Sequence, residues 1–259
     1  MAVRVIVTRP AAQAADWVAQ LRAQGIDALA LPLIGIEPLT DAAPLVDAWN
    51  RLAARRLVVF VSPNAAERFF AHRPAALSWP PAVLAGSPGP GTTRALLTLG
   101  VPPAQIVEPA ADAPQFDSEA LWAQLCGRDW RAAEVLIVRG DGDGGRDWLA
   151  QALRRAGARV AQVAAYRRTA PAFDAARTEL LRAALAAPAL HLWLFSSSEA
   201  IEHLLASPLV GCGHDWSPVR AVTTHPRIGA RARTAGFGQV IEVRPSPAAV
   251  AACIQSLRP

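Results

Sequence analysis

The sequence predicts an α/β protein in which parallel strands are crossed by helices. Short runs rich in β-branched residues alternate along the 259 residues with amphipathic segments rich in alanine and leucine. Hydrophobic residues make up 52% of the chain, so a substantial core can form, and the length is enough for two small domains. An internal repeat further indicates that these two domains are similar.

Strands are predicted at the short β-branched runs. In chain order they are Val3–Thr8, Leu57–Ser62, Val83–Ala85, Glu134–Arg139, Val160–Tyr166, Leu192–Ser196, Arg220–Val222 and Val240–Val243. Helices are expected after most of them. One runs from Pro10 to Gln24 and stops at Gly25, and another runs from Asp147 to Ala156 and stops at Gly157.

All 26 basic residues are arginines, and against 21 acidic residues they leave a formal charge of +5. This balance favours an acidic partner, which leaves nucleic acid, a membrane surface and a polycarboxylate or phosphate ligand open. The arginines are scattered along the chain rather than gathered in a run. A tail that binds nucleic acid is therefore not expected.

The three cysteines, Cys126, Cys212 and Cys253, lie far apart, which favours a reduced, cytoplasmic protein. The opening run Val3–Val7 is too short for a signal peptide, and no apolar run reaches the roughly 20 residues of a membrane span. Cys212 and His214 have the spacing of a metal-binding pair but lack a second pair. No metal is expected.

Two pairs of segments repeat along the chain. Asp16–Gln20 recurs as Asp147–Gln151, and Phe60–Glu67 matches Phe195–Glu202. Downstream of the second pair, the segment from Gly91 has a counterpart from Pro226. If each domain needs one copy of each segment, the domains are either interleaved or successive along the chain, and periodicity alone leaves both arrangements open.

Several short motifs follow one another in a fixed order. They are Ile6-Val7-Thr8-Arg9-Pro10, Phe60–Ala65, Asp117-Ser118-Glu119-Ala120-Leu121, Ile137-Val138-Arg139-Gly140, Tyr166-Arg167-Arg168 and His225-Pro226-Arg227-Ile228. In this order and spacing, the sequence resembles the uroporphyrinogen-III synthase family over essentially its whole length. It departs from the family pattern mainly at Gly86–Gly91, which looks longer than the usual glycine turn.

The resemblance implies the interleaved arrangement, with two similar α/β domains, each a parallel sheet flanked by helices. Residues 1–33 and 172–259 would form the first domain and residues 41–162 the second. Residues 34–40 and 163–171 would be connecting strands between them.

The resemblance also implies a cyclising hydro-lyase of porphyrin (haem) biosynthesis that acts without a cofactor. We expect a monomer, because no repeated face or heptad indicates a partner helix. The reaction closes the linear tetrapyrrole hydroxymethylbilane, inverts its last pyrrole ring and releases water. Because this small-molecule substrate carries eight carboxylates and forms a reactive azafulvene, the protein must hold many anionic groups. It must also restrict the conformation in which the substrate ring closes. A cleft between hinged domains suits both tasks.

The residues themselves support anion binding where strands give way to helices. Ser62, Asn64, Ser197 and Ser198 stand at such points, where free backbone N–H groups and the positive end of the helix dipole favour a carboxylate. Plain helix capping is the alternative at each position. The recurrence in both copies of the repeat favours the binding interpretation.

Arginines end two equivalent strands, at the edge where α/β proteins bind ligands. Arg9 and Arg139 can each grip a carboxylate with two hydrogen bonds, or can pair instead with a neighbouring aspartate. Thr92, Gly140 and Pro226, which lie in the repeated or family-like segments, complete the predicted substrate-binding set.

Tyr166 is the single tyrosine of the chain. The resemblance implies a functional tyrosine at this position, whose hydroxyl assists departure of the substrate hydroxyl as a proton donor, directly or through water. Without the resemblance, an aromatic residue in an apolar strand indicates packing. His225 precedes Pro226 at a loop start, where a cap or a surface residue is equally expected, so it is not included in the catalytic set.

The segment Gly140–Gly145 satisfies a G-x-G-x-x-G pattern between a strand and a helix, as in dinucleotide-binding proteins. Its Asp141 and Asp143 would repel a pyrophosphate, and no acidic residue follows in the next strand to hold a ribose. Arg167 and Arg168 after the next strand still suit a 2′-phosphate, so an NADP-dependent oxidoreductase is an alternative. A calcium site is rejected because Gly145 and Ala152 stand where further ligands should be. A non-catalytic two-domain protein that binds a small anion is a further alternative.

Overall fold

The computed structural model describes residues 3–142, 147–211 and 213–257. It divides into two compact units. The discontinuous unit comprises Met1–Gly35 and Thr169–Pro259, and the continuous unit comprises Ile36–Arg168. Each unit therefore combines one copy of each repeated segment, taken from distant parts of the chain.

The strands are short, from two to eleven residues. They are β1 (Arg4–Val7), β2 (Ala28–Ala30), β3 (Gly35–Glu37), β4 (Leu57–Phe60), β5 (Leu84–Gly86), β6 (Ile106–Val107), β7 (Glu134–Gly140), β8 (Arg159–Thr169), β9 (His191–Phe195), β10 (Arg220–Thr223) and β11 (Gln239–Glu242). The helices are α1 (Ala11–Ala23), α2 (Ala43–Asn50), α3 (Pro63–Ala71), α4 (Pro90–Thr98), α5 (Ser118–Leu125), α6 (Trp148–Arg155), α7 (Ala175–Ala186), α8 (Ser198–Leu205), α9 (Pro226–Thr234) and α10 (Pro247–Ser256).

The two sheets share one strand order. The discontinuous unit has the order β11-β10-β9-β1-β2, and the continuous unit has β6-β5-β4-β7-β8 with β3 added at the edge. Every pairing whose register is described is parallel. The predicted α/β class is confirmed, and β1 corresponds to β7 as β9 corresponds to β4.

The segments predicted to connect the domains lie in the six-stranded sheet. Residues 34–40 contain β3, and residues 163–171 contain the end of β8, which runs unbroken from Arg159. The division between the two units falls within these strands, after Gly35 of β3 and after Arg168 of β8. The predicted limits at 33, 41, 162 and 172 stay predictions.

Both faces of the six-stranded sheet are covered, as its apolar strands require. Alternate residues of β4 point to opposite faces. Phe60 packs with Phe69 of α3 in one cluster, whereas Val59 packs with Leu121 of α5 in the other. In the discontinuous unit, α1 and α10 cover one face of the sheet and share a single core cluster with β1, β9 and β10.

The two predicted helices end where the sequence indicates. The residue Pro10 takes the N-cap position of α1, and Gly25 follows the helix with φ +74°. Gly157 follows α6 with φ +95°. Both glycines occupy the left-handed region, in which a side chain would be strained.

No helix among residues 3–142, 147–211 and 213–257 is long and apolar enough to cross a membrane. Within the same ranges, no group of three or more His, Cys, Asp or Glu side chains is arranged to hold a metal ion. Cys212 of the possible metal-binding pair lies outside the described residues, as do Asp143, Gly144 and Gly145 of the dinucleotide-like pattern.

Candidate functional site

Helices in both units begin directly after the carboxyl ends of strands, and polar side chains cap them. The Ser62 hydroxyl accepts a hydrogen bond from the Ala65 N–H of α3 at 3.1 Å. The Ser197 hydroxyl accepts one from the Glu199 N–H of α8 at 3.2 Å. Capping is therefore present at both serines, and the first-turn N–H groups of each helix open onto the same edge of its sheet.

The predicted residues fall into two sets, one in each unit. Ser62, Asn64, Thr92, Arg139, Gly140 and Tyr166 belong to the continuous unit, and Arg9, Ser197, Ser198 and Pro226 belong to the discontinuous unit. Asn64, Ser198 and Pro226 lie in the first turns of α3, α8 and α9. Thr92 is buried in the first turn of α4.

Tyr166 lies near the end of β8 with only 1% of its surface exposed. Its hydroxyl is 3.1 Å from the Ser62 Oγ. Arg168 donates a hydrogen bond to the same hydroxyl from Nη2 at 3.3 Å, and its guanidinium stands 5.8 Å from the centre of the tyrosine ring. The structure thus joins the predicted tyrosine to a serine 104 positions away in the chain.

Position 140 requires a glycine because the ring of Tyr166 lies against it. A Cβ atom at Gly140 would stand 2.9 Å from Cε2 of Tyr166, closer than real Cβ contacts allow. The β7–β8 register shifts between Arg139 and Gly140, and the Asp141 N–H donates to the Tyr166 carbonyl at 2.6 Å. This bulge sets the tyrosine ring beside bare backbone.

Arg139 is held by its own unit. Its Nη1 donates to Gln162 Oε1 at 2.9 Å and to Asp147 Oδ1 at 3.2 Å, and its Nη2 donates to the Gly142 carbonyl at 2.8 Å. These partners lie on the α6 face of the sheet, opposite the cluster that contains Tyr166. Of the two interpretations of this arginine, the geometry favours pairing with an aspartate.

Arg9 has a different environment. Its guanidinium stacks on Trp17 at 4.2 Å from the ring centre, and Nη1 donates to Gln13 Oε1 at 3.4 Å. The buried Nε has no hydrogen-bond partner among the described residues. Burial lowers the pKa of Arg9 to about 10, and the negative charge of Asp16 offsets part of this shift. A buried cation with an unused donor suits an incoming anion.

Ser196 is a residue that sequence reasoning missed. Its Oγ is buried and has no hydrogen-bond partner among the described residues. In the register of β1 and β9, Val7 pairs with Leu194. Arg9 and Ser196 lie two positions further along the chain, just past the ends of these strands. The run of three serines at the end of β9 was the available signal, but it did not distinguish which hydroxyls serve as caps.

Ser87, also missed, organises the Gly86–Gly91 turn. Its buried hydroxyl donates to the Gly89 carbonyl at 2.8 Å, and Thr93 Oγ1 lies 2.9 Å from it. Thr93 in turn approaches Glu108 Oε2 at 2.6 Å. The longer turn is therefore a hydrogen-bonded loop that leads into α4.

An open groove runs along α5 and contains none of the predicted residues. Its lining includes Gln115, Asp117 and Glu119. Two carboxylates on one wall would repel a polycarboxylate, so this groove does not suit the substrate class that the sequence indicates.

The family of the chain follows from comparison with known proteins. A family model described as "Uroporphyrinogen-III synthase HemD" matches residues 15–252. A curated uroporphyrinogen-III synthase of Synechococcus elongatus is 28% identical over 219 residues, which cover 82% of this chain and 77% of the relative.

Solved structures show the same fold. A mutant uroporphyrinogen III synthase from Thermus thermophilus superimposes with a TM-score of 0.60 at 18% identity, covering 99% of each chain. The uroporphyrinogen-III synthetase of Helicobacter pylori gives 0.55 at 15% identity, covering 100% of each chain. With the fold shared and the family model matching nearly all of its length, the chain belongs to the uroporphyrinogen-III synthase family of cyclising lyases in tetrapyrrole biosynthesis.

Proposed function

We propose that this chain converts hydroxymethylbilane to uroporphyrinogen III, inverting the terminal pyrrole ring and releasing water. The observation that carries the proposal is the tyrosine hydroxyl held between Ser62 and Arg168 at the carboxyl edge of a parallel sheet. In a member of this family, such an ordered hydroxyl is a ready proton source for the departing hydroxyl of the substrate. Ring closure with loss of water involves no net oxidation, so the reaction as proposed needs no redox cofactor.

The substrate is a polycarboxylate, and the two units offer donors suited to it. Arg9 has a buried Nε without a partner, and Ser196 follows the adjacent strand with an unpartnered hydroxyl. The starts of α3, α8 and α9 add backbone N–H groups at Asn64, Ser198 and the residues that follow Pro226. These groups support binding of several carboxylates rather than of one.

Most of the catalytic effect is expected from positioning. Loss of the substrate hydroxyl creates a reactive azafulvene, and the isomer formed depends on which carbon of the terminal ring meets it. Donors fixed on a rigid sheet can favour one conformation of a flexible chain. We further propose that the protein is a monomer, which light scattering at the assay concentration would check. We also propose that it binds neither nucleic acid nor membrane.

The test is to supply hydroxymethylbilane and to separate the type I and type III isomers by chromatography. Spontaneous closure gives type I, and the proposal expects type III in excess. Type I alone would contradict the assignment and leave a protein that binds anions without turnover. A parallel titration with NADPH should show no saturable binding, whereas micromolar binding would favour an oxidoreductase instead.

A further inference from the structure

We propose that Ser62 passes the proton to the departing hydroxyl of the substrate. Tyr166 is then a positioning residue, which does not touch the substrate and replaces the proton that Ser62 gives up. The inference rests on the proposed function. It changes which side chain touches the substrate, and it adds Arg168 as the residue that holds the tyrosine ready.

Burial separates the roles of the two hydroxyls. Tyr166 is 1% exposed, and its ring packs in the core cluster of the continuous unit with Phe60 and Val138. Ser62 is only half-buried, at the start of α3. A substrate oxygen can reach the serine without rearrangement of the core, but it cannot reach the tyrosine.

The inventory of donors and acceptors fixes the direction of the hydrogen bond between them. Arg168 can only donate, so the Tyr166 oxygen accepts from it. If Ser62 also donated to that oxygen, the buried tyrosine proton would have no acceptor among the described residues. With Tyr166 donating to Ser62, the serine accepts from both Tyr166 and the Ala65 N–H, and its own proton is left to point outward.

The step balances with these groups alone. Ser62 gives its proton to the departing hydroxyl as the C–O bond breaks, and water leaves. The serine oxygen takes the Tyr166 proton at the same time, so the negative charge ends on the phenolate beside the Arg168 guanidinium. Inversion of the terminal ring breaks one C–C bond and forms two, so closure adds one C–C bond in net terms. One proton is released from the pyrrole carbon that is attacked last, and this proton returns through Ser62 to Tyr166.

The equivalent serine of the other unit lacks this arrangement. Ser197 caps α8 as Ser62 caps α3, and its described hydrogen bond is to the Glu199 N–H. The strand that corresponds to β8 is β2, which leads into Leu31 and Leu33. The tyrosine that makes the cap serine a relay is thus present in one unit, so capping alone does not explain it.

The experiment compares Ser62→Ala, Tyr166→Phe and the double variant, in the full-length protein, by steady-state kinetics and by isomer analysis. We expect each single change to lower kcat by roughly 10- to 100-fold with little change in KM. The double variant should be no slower than the slower single variant, because both changes interrupt one path. Ser62→Thr retains the hydroxyl and should restore kcat to within about threefold.

Ser62→Ala also removes a helix cap, so a matched control is needed. Asp174→Ala removes the cap of α7, where the carboxylate accepts from the Arg177 N–H at 2.8 Å, and should leave kcat unchanged. Ser62→Gly keeps most of the cap stability and should be as slow as Ser62→Ala. A solvent isotope effect on kcat, present in the native protein, should be lost in both Ser62→Ala and Tyr166→Phe.

Three results would overturn the relay: native kcat in Ser62→Ala with a slow Tyr166→Phe, the reverse, or multiplicative losses in the double variant. The first would return the tyrosine to direct contact with substrate. None of them would touch the proposed function, whose failure is recognised separately by the absence of type III product from the native protein.

Discussion

The two units are built on one strand order, yet the arginines at one equivalent position make different contacts. Arg9 follows β1 and Arg139 lies in the equivalent β7, and each is followed by an aspartate and a tryptophan, Asp16-Trp17 in one unit and Asp147-Trp148 in the other. Asp147 bonds directly to Arg139, whereas Arg9 stacks on its tryptophan and keeps a buried Nε without a described partner.

The cause of this difference is where the helix begins. The helix α1 starts at Ala11, so Asp16 lies inside it, whereas α6 starts at Trp148 and Asp147 stands at its N-cap position. Asp147 does not cap its own helix and is free to meet the arginine. The repeat therefore keeps the same residue types in both units, but a difference in where the helix begins changes the contacts that these residues make. In this way an arginine that is structural in one unit can be available to bind a ligand in the other.

A comparison by dissection should give the largest effect. We expect residues 36–168 to melt cooperatively as a separate fragment, because they contain the six strands of their sheet except the first residue of β3 and the last residue of β8. Residues 1–125 should not, because β1 would lack its neighbour β9 and β4 its neighbour β7. Circular dichroism melts of both fragments check this.

The fragment 41–162 tests the predicted limits themselves. It omits β3 and the end of β8, including Tyr166 and its packing. It should melt at a lower temperature than 36–168. Equal melting would support the narrower limits, and cooperative melting of 1–125 alone would reverse the assignment of both units.

The close approach of Gly140 to the tyrosine ring gives the next effect. Gly140→Ala should displace the ring of Tyr166, lower the free energy of unfolding by about 1–3 kcal/mol, and lower kcat as Tyr166→Phe does. Gly127→Ala is the control, since a Cβ there meets nothing within 4 Å. Native kcat in Gly140→Ala would show that the tyrosine hydroxyl need not be held in place.

The two arginines should respond in opposite ways to replacement by glutamine. Arg9→Gln should raise KM by roughly 10-fold or more, since a charge-assisted hydrogen bond is worth about 1.5–3 kcal/mol. Arg139→Gln should instead lower the melting temperature and leave KM unchanged, because its partners are Asp147, Gln162 and Gly142. A raised KM for Arg139→Gln alone would invert the comparison.

The pKa of Arg9 adds a test by pH. Burial lowers that pKa to about 10, so the guanidinium is charged at neutral pH and loses its proton as pH rises through 10. KM should therefore rise above about pH 10 in the native protein and not in Arg9→Gln. Below about pH 10 the folded protein holds Arg9 charged and carries the full free-energy cost of burying that charge, so Arg9→Gln should not lower stability at pH 7.

The smallest effect concerns two equivalent glutamates. Hydrogen bonds from Arg231 lower the pKa of Glu202, and one of them joins Arg231 Nη2 to Glu202 Oε2 at 2.7 Å. Burial instead raises the pKa of Glu67, and the positive charge of Arg68 offsets part of that rise. Glu202→Gln should cost about 0.2–1 kcal/mol at pH 7 and nothing once pH falls through the lowered pKa. Glu67→Gln should stabilise slightly at pH 7, with the gain vanishing in acid. Melting curves from pH 3 to 7 check both.

Much of the fold could be predicted because many strands and helices carry a local signal in the sequence, such as an apolar run or a glycine that ends a helix. The apolar runs at β4 and β9 and the glycines after α1 and α6 indicate their elements directly. Strands β2, β3 and β6 are two or three residues long, so their period is too short to detect. They exist because a neighbouring strand offers hydrogen bonds.

The site was predictable in its residue types but not in its contacts. Tyr166 and Ser62 were both expected, but their hydrogen bond joins positions 104 apart and depends on the bulge at Gly140. The choice between substrate and aspartate for Arg139 depended on where α6 begins. The unpartnered hydroxyl of Ser196 could not be predicted, because the sequence pattern alone does not show which of the three serines lacks a hydrogen-bond partner.

The interleaved chain also has a consequence for synthesis on the ribosome. β1 emerges early but must wait for β9, 187 positions later in the register that pairs Arg4 with His191. At about 5–20 residues per second this wait lasts on the order of 10 seconds or more. The continuous unit can complete its fold meanwhile, whereas the nascent apolar β1 has only β2 beside it and lacks its neighbour β9. Translation speed between these strands should therefore influence the yield of native protein, and chaperones that shield the waiting segment should raise it.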